Sequence, residues 1–178
     1  QERCVGIMGL GVLGAATAEA LQHIGFAVRS WSRREKSQPG VESFAGLERL
    51  DEFLAGCEIL VCLLPLTPDT EGIINRRTLN ALPQGACLIN GARGGLVVEP
   101  DLIAALESGR LGQAILDVTR EEPLPADDPL WRVPNITITP HIASITNAAS
   151  GARLVAENIR RIRAGEVPHH LVDPKVGY

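Results

Sequence analysis

Aromatic residues are nearly missing from this chain of 178 residues: they fill 3% of positions, with 2 Trp, 1 Tyr and 3 Phe. Its core must therefore be aliphatic, built from Leu, Ile, Val and Ala. Long apolar runs are also missing. The longest, Ile59 to Leu64, falls far short of the roughly 20 residues needed to cross a bilayer, so no membrane partner is expected. An excess of positive charge is lacking too. The net charge of −4 gives no basic footprint, which sets nucleic acid aside. No signal-peptide pattern opens the chain. It begins at Gln1 rather than Met, close before a strand-like run, which reads as a cut chain or an isolated domain. Cys4, Cys57, Cys62 and Cys87 show no metal-ligand spacing. The expectation is no metal and reduced thiols in a cytoplasmic protein.

What is present is a rhythm. Short apolar runs alternate with longer amphipathic ones, the pattern of a parallel α/β sheet. Strands are expected at Cys4–Met8, Ala27–Trp31, Ile59–Leu64, Cys87–Ile89, Ala114–Asp117 and Ile136–Thr139. Several are apolar nearly throughout, as strands covered on both faces should be. Helices are expected at Leu13–Ile24, Leu47–Ala55, Asn75–Ala81 and Pro100–Ser108, so that each crossover runs strand, helix, strand. Between Glu121 and Asn135 stand Pro123, Pro125, Pro129 and Pro134. That is too many for a helix or a central strand, and the segment reads as a long ordered loop. A long helix at about 145–164 follows, then a tail with Pro168 and Pro174, in which His169 and His170 read as solvent-exposed. The fold class is a doubly wound parallel sheet of the dinucleotide-binding kind. Residues 1–144 form that domain, and 145–178 form a helix and tail.

The first strand runs into Gly9-Leu10-Gly11-Val12-Leu13-Gly14 and then into a helical pattern. Glycine triplets at this spacing are common, but here the context is the required one, after a strand and opening a helix. Gly9 permits the tight turn, Gly11 the approach of a pyrophosphate, and Gly14 close packing of helix on strand. The helix N-terminus, with Val12 and Leu13, then offers amides and partial positive charge to the phosphates. An acidic residue about 20 positions further on would select NAD. This chain has Ser30-Trp31-Ser32-Arg33-Arg34 there instead. A hydroxyl flanked by guanidinium groups suits a 2′-phosphate, so Ser32, Arg33 and Arg34 point to NADP, with NAD possible as a second cofactor.

Four later segments follow strand ends, where open α/β sheets place ligands. They are Leu64-Pro65-Leu66-Thr67, Asn90-Gly91-Ala92-Arg93-Gly94, Leu116-Asp117-Val118 with Glu121-Glu122-Pro123-Leu124, and Thr139-Pro140-His141-Ile142-Ala143. In this order and spacing they resemble the D-2-hydroxyacid dehydrogenase family over nearly the whole chain. Trp31-Ser32-Arg33, Pro129-Leu130-Trp131-Arg132 and the ending Gly177-Tyr178 are similar to its glyoxylate/hydroxypyruvate reductase A branch.

The resemblance implies reduction of a small 2-keto acid, such as glyoxylate or hydroxypyruvate, by a hydride from the cofactor. It makes Arg93 the substrate anchor, Glu122 the partner of the base, and His141 the proton donor and acceptor. Imidazole suits that task near neutral pH, a carboxylate beside it fixes its tautomer, and a guanidinium fork can grip a carboxylate. Glu121 competes for the carboxylate role, and the residue directly before Pro123 matches the family. Asp117 is implied at the nicotinamide amide, Leu64 and Pro65 along the adenosine or ribose, and Thr70 at a phosphate. Gly91, Ala92 and Ala143 complete the cofactor wall.

Two departures stand out: Thr119 where the family commonly has an aromatic residue, and two glycines rather than one after Arg93. The resemblance also implies a substrate domain of about one hundred residues, here largely absent. Cofactor binding with little turnover is the expectation for this chain alone, and a homodimer through this domain is the expected assembly. Two other readings remain: an NAD-dependent dehydrogenase of another 2-hydroxy acid, and a non-catalytic nucleotide-sensing relative.

Overall fold

The computed structural model describes residues 3–144 and 146–172. Ile145, Pro174 and the Gly177-Tyr178 ending lie outside the described residues. The chain divides into two compact units, Gln1–His141 and Ile142–Tyr178.

The first unit is a seven-stranded, all-parallel sheet with strand order β3-β2-β1-β4-β5-β6-β7. The strands are β1 (Cys4–Met8), β2 (Ala27–Ser32), β3 (Glu42–Ala45), β4 (Ile59–Cys62), β5 (Ala86–Asn90), β6 (Leu111–Leu116) and β7 (Ile136–Ile138). From β1 the chain moves outward to β2 and β3, then returns to pair β4 on the other side of β1. This reversal makes the C-terminal ends of β1 and β4 the switch point where such sheets open a crevice.

Helix α1 (Val12–His23) packs on one face, where Ile7 and Val28 meet Ala18. Side chains alternate along a strand, so Met8 and Trp31 point the other way. They join Phe53 and Leu54 of α2 (Leu50–Leu54), Leu79 of α3 (Arg76–Ala81), and Leu102 and Leu106 of α4 (Glu99–Glu107) in the larger core. Asn75 caps α3, its side chain accepting from the Thr78 amide while Thr78 reaches back to the Asn75 amide.

Several details differ from the expectations. β3 lies in a stretch read as loop, because its four residues, Glu-Ser-Phe-Ala, carry too little apolar pattern. β2 passes to β3, and β6 to β7, without an α-helix; the Pro-rich loop holds only a 3-10 turn at Pro129–Arg132. The 47–55 helix is a 3-10 turn followed by α2. Cover on both faces is also incomplete. In β5, Ala86, Leu88 and Asn90 are buried while Cys87 and Ile89 are half-buried, and β4 alternates in the same way. Helix α1 packs chiefly against β1 and β2.

In the second unit, α5 runs from Ala148 to Arg163 and starts later than expected. Asn147 sets the start by accepting a hydrogen bond from the Ser150 amide. His169 and His170 are exposed. No described helix is long and apolar enough to cross a membrane.

Candidate cofactor and catalytic site

The turn after β1 is shaped by contacts only glycine allows. Gly9 has φ +105° and donates its amide to the Trp31 carbonyl at 2.8 Å. A Cβ on Gly14 would stand 1.9 Å from the Gly9 carbonyl oxygen, so helix and turn are in backbone contact. A Cβ on Gly11 would meet nothing within 4 Å. The space above Gly11 is open, as a site for an approaching phosphate needs. Gly11 caps α1 without a side-chain hydrogen bond, and the first turn carries no acidic residue. Val12 and Leu13 are exposed at that mouth. Free amides, the helix dipole and open space together fit the pyrophosphate of a dinucleotide.

At the end of β2, Ser32 is buried and its carbonyl accepts from the Gly46 amide at 3.2 Å. Arg33 forms an ion pair with Asp69 at 2.6 Å, and Arg34 is exposed. Past β4, Leu64 is buried and Pro65 half-buried. The Thr70 hydroxyl donates to the Pro65 carbonyl at 2.7 Å and accepts from the Thr67 amide at 2.8 Å. Thr70 is 9% exposed, and these bonds hold its hydroxyl within the 65–70 turn.

β5 ends on Asn90, fully buried, whose amide group donates to the Arg93 carbonyl at 3.0 Å and whose oxygen accepts from the Ala92 amide at 3.2 Å. These bonds fold Gly91 and Ala92 into a tight turn and bring Arg93 to the surface. The Arg93 guanidinium donates to the Ala92 carbonyl at 2.6 Å. Gly94 lies against the next loop: a Cβ there would stand 2.0 Å from the Thr119 carbonyl group. Gly95, the second glycine of the departure, faces Leu66, 3.0 Å from where its Cβ would be.

After β6, buried Asp117 accepts a hydrogen bond from the Thr139 hydroxyl at 2.5 Å. Its carbonyl also accepts from the His141 amide at 2.9 Å. His141 has φ 55°, in the left-handed region that side chains other than glycine seldom adopt. Such strain is held by surrounding bonds, and here the Asp117 and Thr139 carbonyls both take the His141 amide. The ring is thereby turned so that Nδ1 meets Glu122 Oε2 at 2.9 Å.

The other Glu122 oxygen accepts from the Thr119 amide at 3.1 Å, while the Thr119 hydroxyl donates to the Glu121 carbonyl at 2.7 Å. Glu122, not Glu121, therefore carries the carboxylate on the imidazole. The hydrogen bond from His141 holds the Glu122 carboxyl below its usual range; slight burial opposes this, and the Thr119 amide and the nearby Arg93 charge add to it. An ionised Glu122 accepts at Nδ1, which leaves Nε2 of His141 as the nitrogen free to exchange a proton.

A cleft of about 610 Å³ opens beside this pair, lined by Asp117, Thr119, Glu122, Leu124, Trp131 and His141 among others. Trp131 is half-exposed and donates its indole N–H to the Pro125 carbonyl at 2.8 Å, so its ring forms a fixed apolar wall. Ala143 belongs to the second unit and is exposed. Sequence reasoning passed over Asn90, Thr139, Trp131 and Asp69 as site residues. The signal for Asn90 was available, as a polar side chain ending an apolar strand; Thr139 and Asp69 act through partners distant in sequence, and Trp131 bonds the Pro-rich loop that holds it.

Residues 1–143 match the sequence model of the family described as D-isomer specific 2-hydroxyacid dehydrogenase, NAD binding domain. A D-isomer specific 2-hydroxyacid dehydrogenase from Xanthobacter autotrophicus Py2, solved in complex with NADPH and MES, is 53% identical with a TM-score of 0.95 over 99% of this chain and 73% of its own. A family protein from Klebsiella pneumoniae 342 is 50% identical with a TM-score of 0.88, over 96% of this chain and 55% of its own. The NADPH-dependent glyoxylate/hydroxypyruvate reductase of Sinorhizobium meliloti, in complex with NADP and sulfate, is 41% identical with a TM-score of 0.93, over 99% of this chain and 57% of its own. The chain thus spans between 55% and 73% of the length of these relatives. With its Gly9–Gly14 turn, its strand order and the matched residues, the chain belongs to the D-isomer specific 2-hydroxyacid dehydrogenases and comprises their NAD-binding domain.

Proposed function

We propose that this chain is the cofactor-binding and proton-transferring part of an NADPH-dependent reductase of small 2-keto acids, glyoxylate and hydroxypyruvate among them. The observation that carries the reading is the His141–Glu122 pair at 2.9 Å, with Arg93 acting on the same carboxylate. It stands on the strand-end edge that also bears the Gly9–Gly14 turn. The nucleotide end supports NADP over NAD, since Ser32, Arg33 and Arg34 occupy the place of the acidic residue that would select NAD. The Sinorhizobium meliloti relative, an NADPH-dependent enzyme, supports both halves.

In this reading Gly9, Gly11, Val12, Leu13 and Gly14 hold the pyrophosphate, and Leu64, Pro65, Gly91 and Ala92 line the nucleoside path. Asp117 would hold the carboxamide end. Bound there, the nicotinamide supplies the hydride that reduces the keto carbon. The chain's own work is positioning and proton transfer. Arg93 grips the substrate carboxylate with its planar fork. His141 delivers the proton from Nε2 to the substrate oxygen. Glu122 at Nδ1 fixes the tautomer and stabilises the charged ring that gives up its proton in the reduction and forms in the reverse direction.

A homodimer through this domain belongs to the proposal, supported by the exposed stripe of Val155, Ile159 and Ile162 on α5. So does a cytoplasmic setting, supported by the free thiols of Cys57 and Cys62. Residues 145–178 are proposed as the helix and tail that lead on toward a substrate domain.

Titration of the chain with NADPH and NADH, followed by cofactor fluorescence, tests the nucleotide half, with tighter NADPH binding expected. Tighter NADH binding overturns the assignment of Ser32, Arg33 and Arg34. In the whole enzyme, His141→Gln is expected to cut glyoxylate turnover by at least about a hundredfold. Near-normal turnover removes His141 from proton transfer.

A further inference from the structure

The ion pair between Arg33 and Asp69, 2.6 Å long, joins two segments that sequence keeps 36 residues apart. Arg33 follows β2, and Asp69 lies in the turn after β4. In the sheet these strands flank β1 on either side. Neighbouring strands stand about 4.8 Å apart, so the pair bridges about 10 Å across the end of β1, where the Gly9–Gly14 turn opens.

The turn that presents Asp69 is anchored. Thr67 and Thr70 are buried, the Thr70 hydroxyl bonds both the Pro65 carbonyl and the Thr67 amide, and the Glu71 amide donates to the Thr67 carbonyl at 2.9 Å. The Asp69 side chain itself is 68% exposed. An ion pair so wet contributes little to the fold. Its position over the nucleotide crevice is what distinguishes it.

We propose that Asp69 is a specificity-determining residue, a counter-charge that holds Arg33 across the end of β1 and must yield it to the 2′-phosphate of NADP. The inference rests on the reading above that Arg33 meets that phosphate. A phosphate monoester carries about −1.5 to −2 charge at neutral pH. When Arg33 turns to it, the Asp69 carboxylate stays within a few ångströms on the anchored turn and repels it. A ribose 2′-hydroxyl carries no charge and meets no such repulsion. Asp69 thus narrows the preference for NADP over NAD, and Ser32, Arg33 and Arg34 widen it.

The test compares wild type, Asp69→Asn and Arg33→Ala by fluorescence titration with NADPH and NADH at low and high salt. Asp69→Asn is expected to tighten NADPH binding about threefold to fivefold, to leave NADH binding unchanged, and to lose its advantage as salt screens the charge. Tighter binding cannot arise from a damaged fold, so a gain is diagnostic. Unchanged or weaker NADPH binding by Asp69→Asn, while Arg33→Ala weakens it, overturns the role of Asp69 and leaves the phosphate site standing. Wild type that binds both cofactors equally, with Arg33→Ala altering neither, overturns both.

Discussion

Over β1 the sheet edge is made of backbone: Gly9, Gly11 and Gly14 present amides, a helix end and empty space, with no side chain cap on α1. Over β6 and β7 the edge is made chiefly of side chains: Thr139 on Asp117 and His141 on Glu122, whose other oxygen takes the Thr119 amide. In the proposed function the first region would recognise a dinucleotide by shape and dipole, and it depends on what is missing at each position. The second would transfer the proton, and it depends on groups held in line by successive hydrogen bonds. A defect in the first should therefore be steric and nearly all-or-none, whereas defects in the second should be graded and pH-dependent.

The sharpest way to break this contrast lies at the glycines. Gly14→Ala sets a Cβ 1.9 Å from backbone, and thermal unfolding should show a loss of about 3 kcal/mol. Gly11→Ala enters open space; it should keep stability within about 1 kcal/mol yet weaken NADPH binding on the order of tenfold. Equal effects of the two on folding would erase the distinction.

Next in size is Glu122→Gln, expected to lower turnover of the whole enzyme on the order of a hundredfold with little change in substrate KM. Its stability effect has a definite sign. Because the folded Glu122 carboxyl titrates below its ordinary value of 4.5, its contribution is complete above that value and is lost as pH falls through the lower folded value. Unfolding curves of wild type and Glu122→Gln should therefore converge below pH 4.5 and differ above it. A constant difference across this range contradicts the pairing.

Smallest is Thr119→Val, which removes the hydroxyl bonded to the Glu121 carbonyl at 2.7 Å, worth about 1 kcal/mol. Valine keeps the backbone amide that bonds Glu122, so the Glu122 carboxyl should still titrate below 4.5 while thermal unfolding shows the loss, and Thr119→Ser should restore stability. A Glu122 resonance that moves with Thr119→Val would show that the hydroxyl also positions the carboxylate.

The central strands were legible because parallel strands in a crevice-bearing sheet need apolar runs, and β1, β4 and β5 have them. β3 was not, because a four-residue edge strand gains its place from pairing with β2 rather than from its own pattern. The strand-end motifs were legible for a related reason: polar residues at or just past the ends of apolar runs, as Asp117, Arg93 and His141 are, have few structural excuses. Thr70 shows the limit. Only the folded turn reveals that its hydroxyl bonds Pro65 and Thr67. The pairings of Asp69 and Thr139 were not legible for the converse reason, since their partners lie 36 and 22 residues away.

Gly94 rests so closely against the Thr119–Arg120 peptide that a single added carbon would overlap it. The loop that carries Arg93 and the loop that carries Glu122 are thus geared like meshed teeth. A designer who transplants one of them from a relative with a different appetite should transplant both, because the pair forms one exchangeable cassette and half of it will not seat.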